Sequence, residues 1–152
     1  MAQKRPCFNV RVYGIIFNDQ QQVLLTDEFQ LGMKMTKFPG GGLHFGEGTR
    51  DCLMREALEE FGQQVEILEH FYTLDYYQPS YFYQECQLLS IYYQAVFKEP
   101  IRFRVVDEPF DGQEDLSDGF IAFRWKDIAD LQPADLTLPV DKVVAGMLGN
   151  QV

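Results

Sequence analysis

Residues 40–62 read GGGLHFGEGTRDCLMREALEEFG, a glycine run followed by four glutamates and two arginines. Hard divalent cations such as Mg²⁺ take oxygen ligands and keep waters or substrate phosphates in the remaining positions, which a carboxylate cluster beside a flexible loop can provide. A phosphate-cradling loop is the competing reading, since Gly41, four residues and Gly46 match half of that pattern. The lysine that should follow is Glu47, which repels phosphate. The glycine spacing also fails a dinucleotide-binding fingerprint. Any phosphate that comes here therefore needs a cation between itself and the carboxylates.

The spacing predicts a helix over residues 50–61, with Thr49 as its N-cap and Gly62 as the left-handed residue that ends it. On that helix Glu56, Glu59 and Glu60 fall within an arc of about 100°. Met54, Ala57, Leu58 and Phe61 are expected on the opposite, core-facing side. Like charges one turn apart cost a few tenths of a kcal/mol each, so the acidic arc is unfavourable alone. Arg55, four residues before Glu59, offsets part of that cost.

This combination resembles the Nudix box: Gly, five residues, Glu, seven residues, Arg-Glu, apolar, any, Glu-Glu, any, Gly, apolar. Gly41, Glu47, Arg55, Glu56, Ala57, Glu59, Glu60 and Gly62 fill it in register, and Gln63 at the final apolar position departs from it. The resemblance implies a metal-dependent hydrolase of nucleoside diphosphates linked to another moiety. Glu56, Glu59 and Glu60 would hold Mg²⁺ or Mn²⁺, assisted by the backbone carbonyl of Gly40 or Gly41. Arg55 would orient a ligating glutamate, and Glu47 would brace loop against helix. Water would attack phosphorus, with Glu59 or Glu60 as general base, or a further carboxylate from the loop before the last strand. Among Glu114, Asp115 and Asp118 of that loop, Asp118 is the first choice because it lies next to the strand. A non-catalytic ligand-sensing Nudix domain is the alternative.

Around the helix, residues 8–17 and 22–26 read as a β-hairpin, residues 65–77 and 83–97 as two long strands, and residues 101–106 and 120–125 as shorter ones. Residues 29–37 read as irregular and residues 138–148 as a terminal helix. Strands around one central helix with a second helix at the end make a mixed α/β domain over residues 1–152. The resemblance sharpens this to a mixed sheet sandwiched between helices.

The 152 residues suit one core, and 46% apolar with 24% charged residues is a globular composition. A formal net charge of −10 disfavours binding to nucleic acid polymers and fits a small nucleotide whose charge is met locally. No apolar run is long enough for a membrane span. Three cysteines, an odd number without a CxxC pair, predict neither a disulfide framework nor a zinc site and point to a reducing cytoplasm. Arg11, Lys34 and Lys37 are candidate phosphate contacts. Tyr81, in the aromatic tip near Pro79, could stack on a base, with hairpin packing or a homodimer interface as the alternative.

Overall fold

In a computed structural model of the chain, residues 5–83 and 85–150 are described. Residues 1–4 of the basic N-terminal stretch, and Gln84 within the expected strand 83–97, lie outside that description. The elements are β1 (Cys7–Phe17), β2 (Gln22–Gln30), β3 (Met33–Lys37), β4 (Gly40–Gly42), α1 (Thr49–Phe61), β5 (Val65–Thr73), β6 (Cys86–Phe97), β7 (Phe120–Asp127) and α2 (Pro139–Gly149). The sheet runs β3-β2-β1-β6-β5, with β4 paired to β1 and β7 paired to β2.

β1 runs parallel to β6 from Cys7↔Cys86 to Phe17↔Val96, and antiparallel to β4 through Arg11, Val12 and Tyr13. Side chains alternate between the faces of a strand, so β1 serves two layers. Val12 and Ile16 face α1 and pack with Cys52, Leu53, Ala57 and Phe61. Tyr13 and Ile15 face α2 and pack with Val140, Val144, Ala145 and Leu148. The architecture is thus the expected mixed sheet between two helices.

Residues 29–37, expected to be irregular, complete a β-hairpin instead. Leu31 (φ 51°) and Gly32 (φ 74°) both take left-handed backbone, which suits a tight hairpin turn, and β2 pairs with β3 from Thr26↔Lys37 to Gln30↔Met33. The expected strand over residues 101–106 does not form. Buried Gln63 binds its backbone, donating to the Pro100 carbonyl at 3.0 Å and accepting from the Arg102 amide at 2.6 Å. The departure from the box pattern therefore has a structural use.

α1 is capped by Gly48 rather than Thr49, because the Thr49 hydroxyl is engaged with the Tyr93 hydroxyl at 2.6 Å. Gly62 ends the helix at φ 67° as expected. The core face differs from the expectation. Cys52, Leu53, Ala57 and Phe61 are buried, whereas Met54 is 42% and Leu58 47% exposed. Position on the helix outweighs hydrophobicity here: residues 53, 57 and 61 form the stripe that meets β1, and 54 and 58 are rotated off it.

The expectation of no disulfide is also corrected. Cys7 and Cys86 are bonded, their Cα atoms 4.5 Å apart. The parallel register sets them side by side on one face of the sheet, which cysteine count and spacing along the chain cannot reveal.

Leu53→Ala is expected to cost roughly 2–5 kcal/mol through a buried cavity, while Leu58→Ala costs less than about 1 kcal/mol. Urea unfolding of the two variants checks this, and equal losses would refute the assignment of the faces.

Candidate active site

The glycine run becomes β4 because it can lie close to β1 and α1. Gly40 has φ 150°, and a Cβ there would strike the Val12 carbonyl and Tyr13. A Cβ on Gly41 would collide with the Glu56 carboxylate, so that carboxylate lies directly against the loop backbone.

Arg55 organises the helix side of the site. Its guanidinium donates to both carboxylate oxygens of Glu47 at 2.7 and 3.0 Å, and to the Gly42 carbonyl at 2.9 Å. It also donates to Glu56 at 3.0 Å and to Glu59 at 3.3 Å. Glu47 further accepts from the His44 amide at 2.8 Å. The Arg55 hydrogen bonds, then that amide, hold the Glu47 carboxyl down at about 2. One arginine thus joins loop and helix.

Glu60 sits differently. It points inward from the helix edge, where burial pushes its carboxyl up to about 7 despite the nearby Lys37 ammonium. Its Oε2 is buried without a hydrogen-bond partner. The acidic residues are therefore not all turned away from the core: Glu56 and Glu60 border the buried face, and only Glu59 is well exposed, at 57% of its side chain.

Across from Glu60 the sheet contributes residues of both signs. Lys37 is buried, lies 3.6 Å from Glu28 and stands over the Tyr13 ring at 5.7 Å. Arg11 donates to the Tyr13 hydroxyl at 2.7 Å and lies within electrostatic reach of Glu56 and Glu28. Glu28 and Tyr13 were missed in the sequence. Glu28 enters the site because β2 continues past residue 26, and Tyr13 because it shares the face of Arg11.

Other expected residues stand apart. Asp118 accepts from the Gly32 amide at 3.3 Å, at the β2–β3 tip. That tip is four residues beyond Glu28, about 13 Å at the rise of a strand. Glu114 and Asp115 are exposed in the same loop. Lys34 is exposed and covers the Phe110 ring at 5.3 Å. Tyr81 has its hydroxyl 3.8 Å from the Met33 sulfur of β3, at the edge of a cleft. Arg11, Tyr13, Ser90 and Tyr92 line that cleft from below, and residues 78–82 and 138–141 wall it. Arg11 belongs to both regions.

No three His, Cys, Asp or Glu side chains converge into a closed ligand set among the described residues, because Arg55 lies between Glu56 and Glu59. The donor set nonetheless suits a hard divalent cation. Five carboxylates (Glu28, Glu47, Glu56, Glu59, Glu60) face three cations (Arg11, Lys37, Arg55), and one buried oxygen of Glu60 has no partner.

The family model for the NUDIX domain matches residues 8–147. The chain belongs to the Nudix family. Solved structures agree on this Nudix fold. A MutT protein from Methanosarcina mazei aligns with TM-score 0.68 at 14% identity over 98% of each chain. A MutT Nudix hydrolase from Burkholderia pseudomallei aligns with TM-score 0.64 at 23% identity over 94% of this chain and 98% of that one. Among curated proteins, the RNA pyrophosphohydrolase of Ruthia magnifica is 41% identical over 59 residues, 39% of this chain and 32% of that protein. That of Acinetobacter baylyi is 39% identical over 64 residues, 40% and 37% of the two chains. The matched stretch thus covers about a third of the length of these curated relatives. No helix among the described residues is long and apolar enough to cross a membrane.

The Glu60 carboxyl gives a pH prediction. Its folded pKa, about 7, lies above the ordinary value of 4.5, so the folded state holds more protons between these values. Its contribution to stability is complete below about 4.5 and is lost as pH rises through 7. With chelator present, the wild-type melting temperature should fall more between pH 5 and pH 8 than that of Glu60→Gln. An equal fall in the two proteins would show that Glu60 is not perturbed.

Proposed function

We propose that this Nudix domain is a divalent-metal-dependent pyrophosphohydrolase that cleaves a nucleoside diphosphate linked to another moiety. The observation that carries the reading is Glu60, a buried carboxylate with an unpartnered oxygen beside Glu56 and the Gly40–Gly42 strand. Glu56, Glu59 and Glu60 would hold Mg²⁺ or Mn²⁺, with a Gly40 or Gly41 carbonyl assisting. The bound ion would supply charge neutralisation of the diphosphate and make a water more acidic. Arg55 keeps Glu56 and Glu59 oriented and ties them to Glu47. Arg11 and Lys37, held by Tyr13 and Glu28, would meet phosphate oxygens. The nucleoside end would enter the cleft beyond Arg11, between the Tyr13 and Tyr92 side and the segment that carries Tyr81.

A water proton would pass to Glu59 or Glu60, which would lie beside the reacting phosphate if the metal is held as proposed. Asp118 is the alternative base, and serves only if the β2–β3 tip folds over the site. ADP-ribose or sugar nucleotides, dinucleoside polyphosphates and nucleoside triphosphates all carry the required anhydride. A second reading, the 5′ phosphorylated end of an RNA, is supported by the RNA pyrophosphohydrolases that share stretches of this sequence. The net charge of −10 weighs against a long polyanion and favours the small nucleotide.

A panel of these nucleotides and a 5′-triphosphorylated RNA, assayed with Mg²⁺ and with excess chelator, tests the proposal. Turnover should require the metal, and full activity in chelator would overturn it. Glu59→Gln and Glu60→Gln should each lower kcat by about 10²-fold or more. Asp118→Asn should lower it far less, and the reverse order would transfer the role of base to Asp118.

A further inference from the structure

The disulfide and the cleft occupy the same face of the sheet. Along β1 this face presents Cys7, Asn9, Arg11 and Tyr13, and along β6 it presents Cys86, Leu88, Ser90 and Tyr92. These residues pair in register, Cys7 with Cys86, Asn9 with Leu88, Arg11 with Ser90 and Tyr13 with Tyr92. They form a two-file floor, closed at one end by the stacked rings of Tyr13 and Tyr92, 5.2 Å apart, and at the other by the two cysteines.

The same end of the floor carries the wall. The Ser80 amide donates to the Cys86 carbonyl, the Cys86 amide to the Tyr83 carbonyl and the Leu88 amide to the Gln78 carbonyl, each at 2.8 Å. Asn9, two residues after Cys7, donates from its side chain to the Ser80 hydroxyl at 3.1 Å. Both strands that the disulfide joins are thus bonded to the segment 78–82 that walls the cleft or to Tyr83 next to it. Inside, the floor residues Ser90 and Tyr92 are fully buried beneath the cleft. The pairing is also unambiguous. Cys52, the third cysteine, is fully buried between α1 and the sheet, whereas Cys7 and Cys86 are partly exposed and open to a small disulfide.

We propose that Cys7 and Cys86 form a reversible thiol–disulfide clasp that locks together the two floor strands to which the wall is hydrogen-bonded and so sets the affinity for a nucleoside. This inference rests on the cleft's being the nucleoside site of the proposed hydrolase. Closure proceeds by exchange with a small disulfide such as oxidised glutathione. One cysteine thiolate attacks it and releases one glutathione; the second thiolate then attacks the protein sulfur of the mixed disulfide and releases the other. The Sγ–Sγ bond forms, two electrons pass to the glutathione pair, and the two protein thiol protons end on the two glutathione thiols. The closed form holds the cleft preorganised, so ligand binding does not have to order the wall.

The test uses the full chain equilibrated with oxidised glutathione or with dithiothreitol. Intact mass should differ by two hydrogens, with Cys52 the thiol left free in the oxidised form. Adenosine and guanosine, which carry no phosphate and need no metal, are the binding probes, read by calorimetry. The better-bound nucleoside should bind roughly three- to tenfold more weakly to the reduced protein. Cys7→Ser and Cys86→Ser should both give the reduced affinity in either buffer. Three free thiols after oxidation, or equal affinities of the two redox forms, would overturn the clasp while leaving the hydrolase reading untouched. If neither form binds a nucleoside, the cleft is not the nucleoside site and the clasp has no ligand to control. Hydrolysis of the nucleotide panel then shows separately whether the metal-site reading survives.

Discussion

The structure depends on β1 being buried on both faces while each face does a different task. A strand has only two sides, and this one spends the even residues Val12 and Ile16 on the layer beneath α1. The odd residues build the opposite layer and the cleft, with Arg11 at the junction. A slip of one residue in the pairing with β6 would exchange every side chain between these layers. It would put Arg11 and Tyr13 under α1 and valine in the cleft. The long parallel pairing from Cys7 to Phe17 fixes that register, and the disulfide fixes its outer end.

A second fixed point lies at the other side of β2. Asp27 is fully buried and receives Arg124 at 2.7 Å, the Thr36 hydroxyl at 2.7 Å and the Phe110 amide at 3.1 Å. These bonds connect β2 with β3, β7 and the loop that follows residue 106. A buried ion pair adds little to stability when compared with an apolar pair, but it is costly to leave half-made. The pair therefore selects one arrangement of the β2–β3 hairpin over its competitors, and that arrangement delivers Glu28 and Lys37 to Glu60.

What the sequence disclosed followed the range of the interactions involved. The helix 50–61 and its terminal Gly62 are local, and spacing reveals them. The face of α1 was not local. Met54 and Leu58 are apolar enough for a core, and only the location of β1 relative to the helix exposes them. Glu28 and Tyr13 carry no motif. They join the site through strand pairing across the chain, as Cys7 and Cys86 join each other across 79 residues. The strand expected over residues 101–106 does not form, and the Gln63 side chain, 39 residues away, takes the Arg102 amide and the Pro100 carbonyl beside it.

The placement of the basic residues has a consequence for how a ligand arrives. Of 13 lysines and arginines, Arg11, Lys37, Arg55 and Arg124 are drawn inward and matched to carboxylates or to Tyr13. Those inner cations are matched or outnumbered by the carboxylates around them, so the outer field of the molecule keeps the acidity of its net charge of −10. An approaching polyphosphate is repelled by that field within roughly a Debye length, about 8 Å in physiological salt. Encounter is therefore slowed by the surface and quickened by screening, the opposite of the steering seen in proteins with basic clefts. A ligand that arrives already complexed with a divalent ion carries less charge through that field, so complexation in solution, and not only at the site, governs how fast this protein meets its ligand.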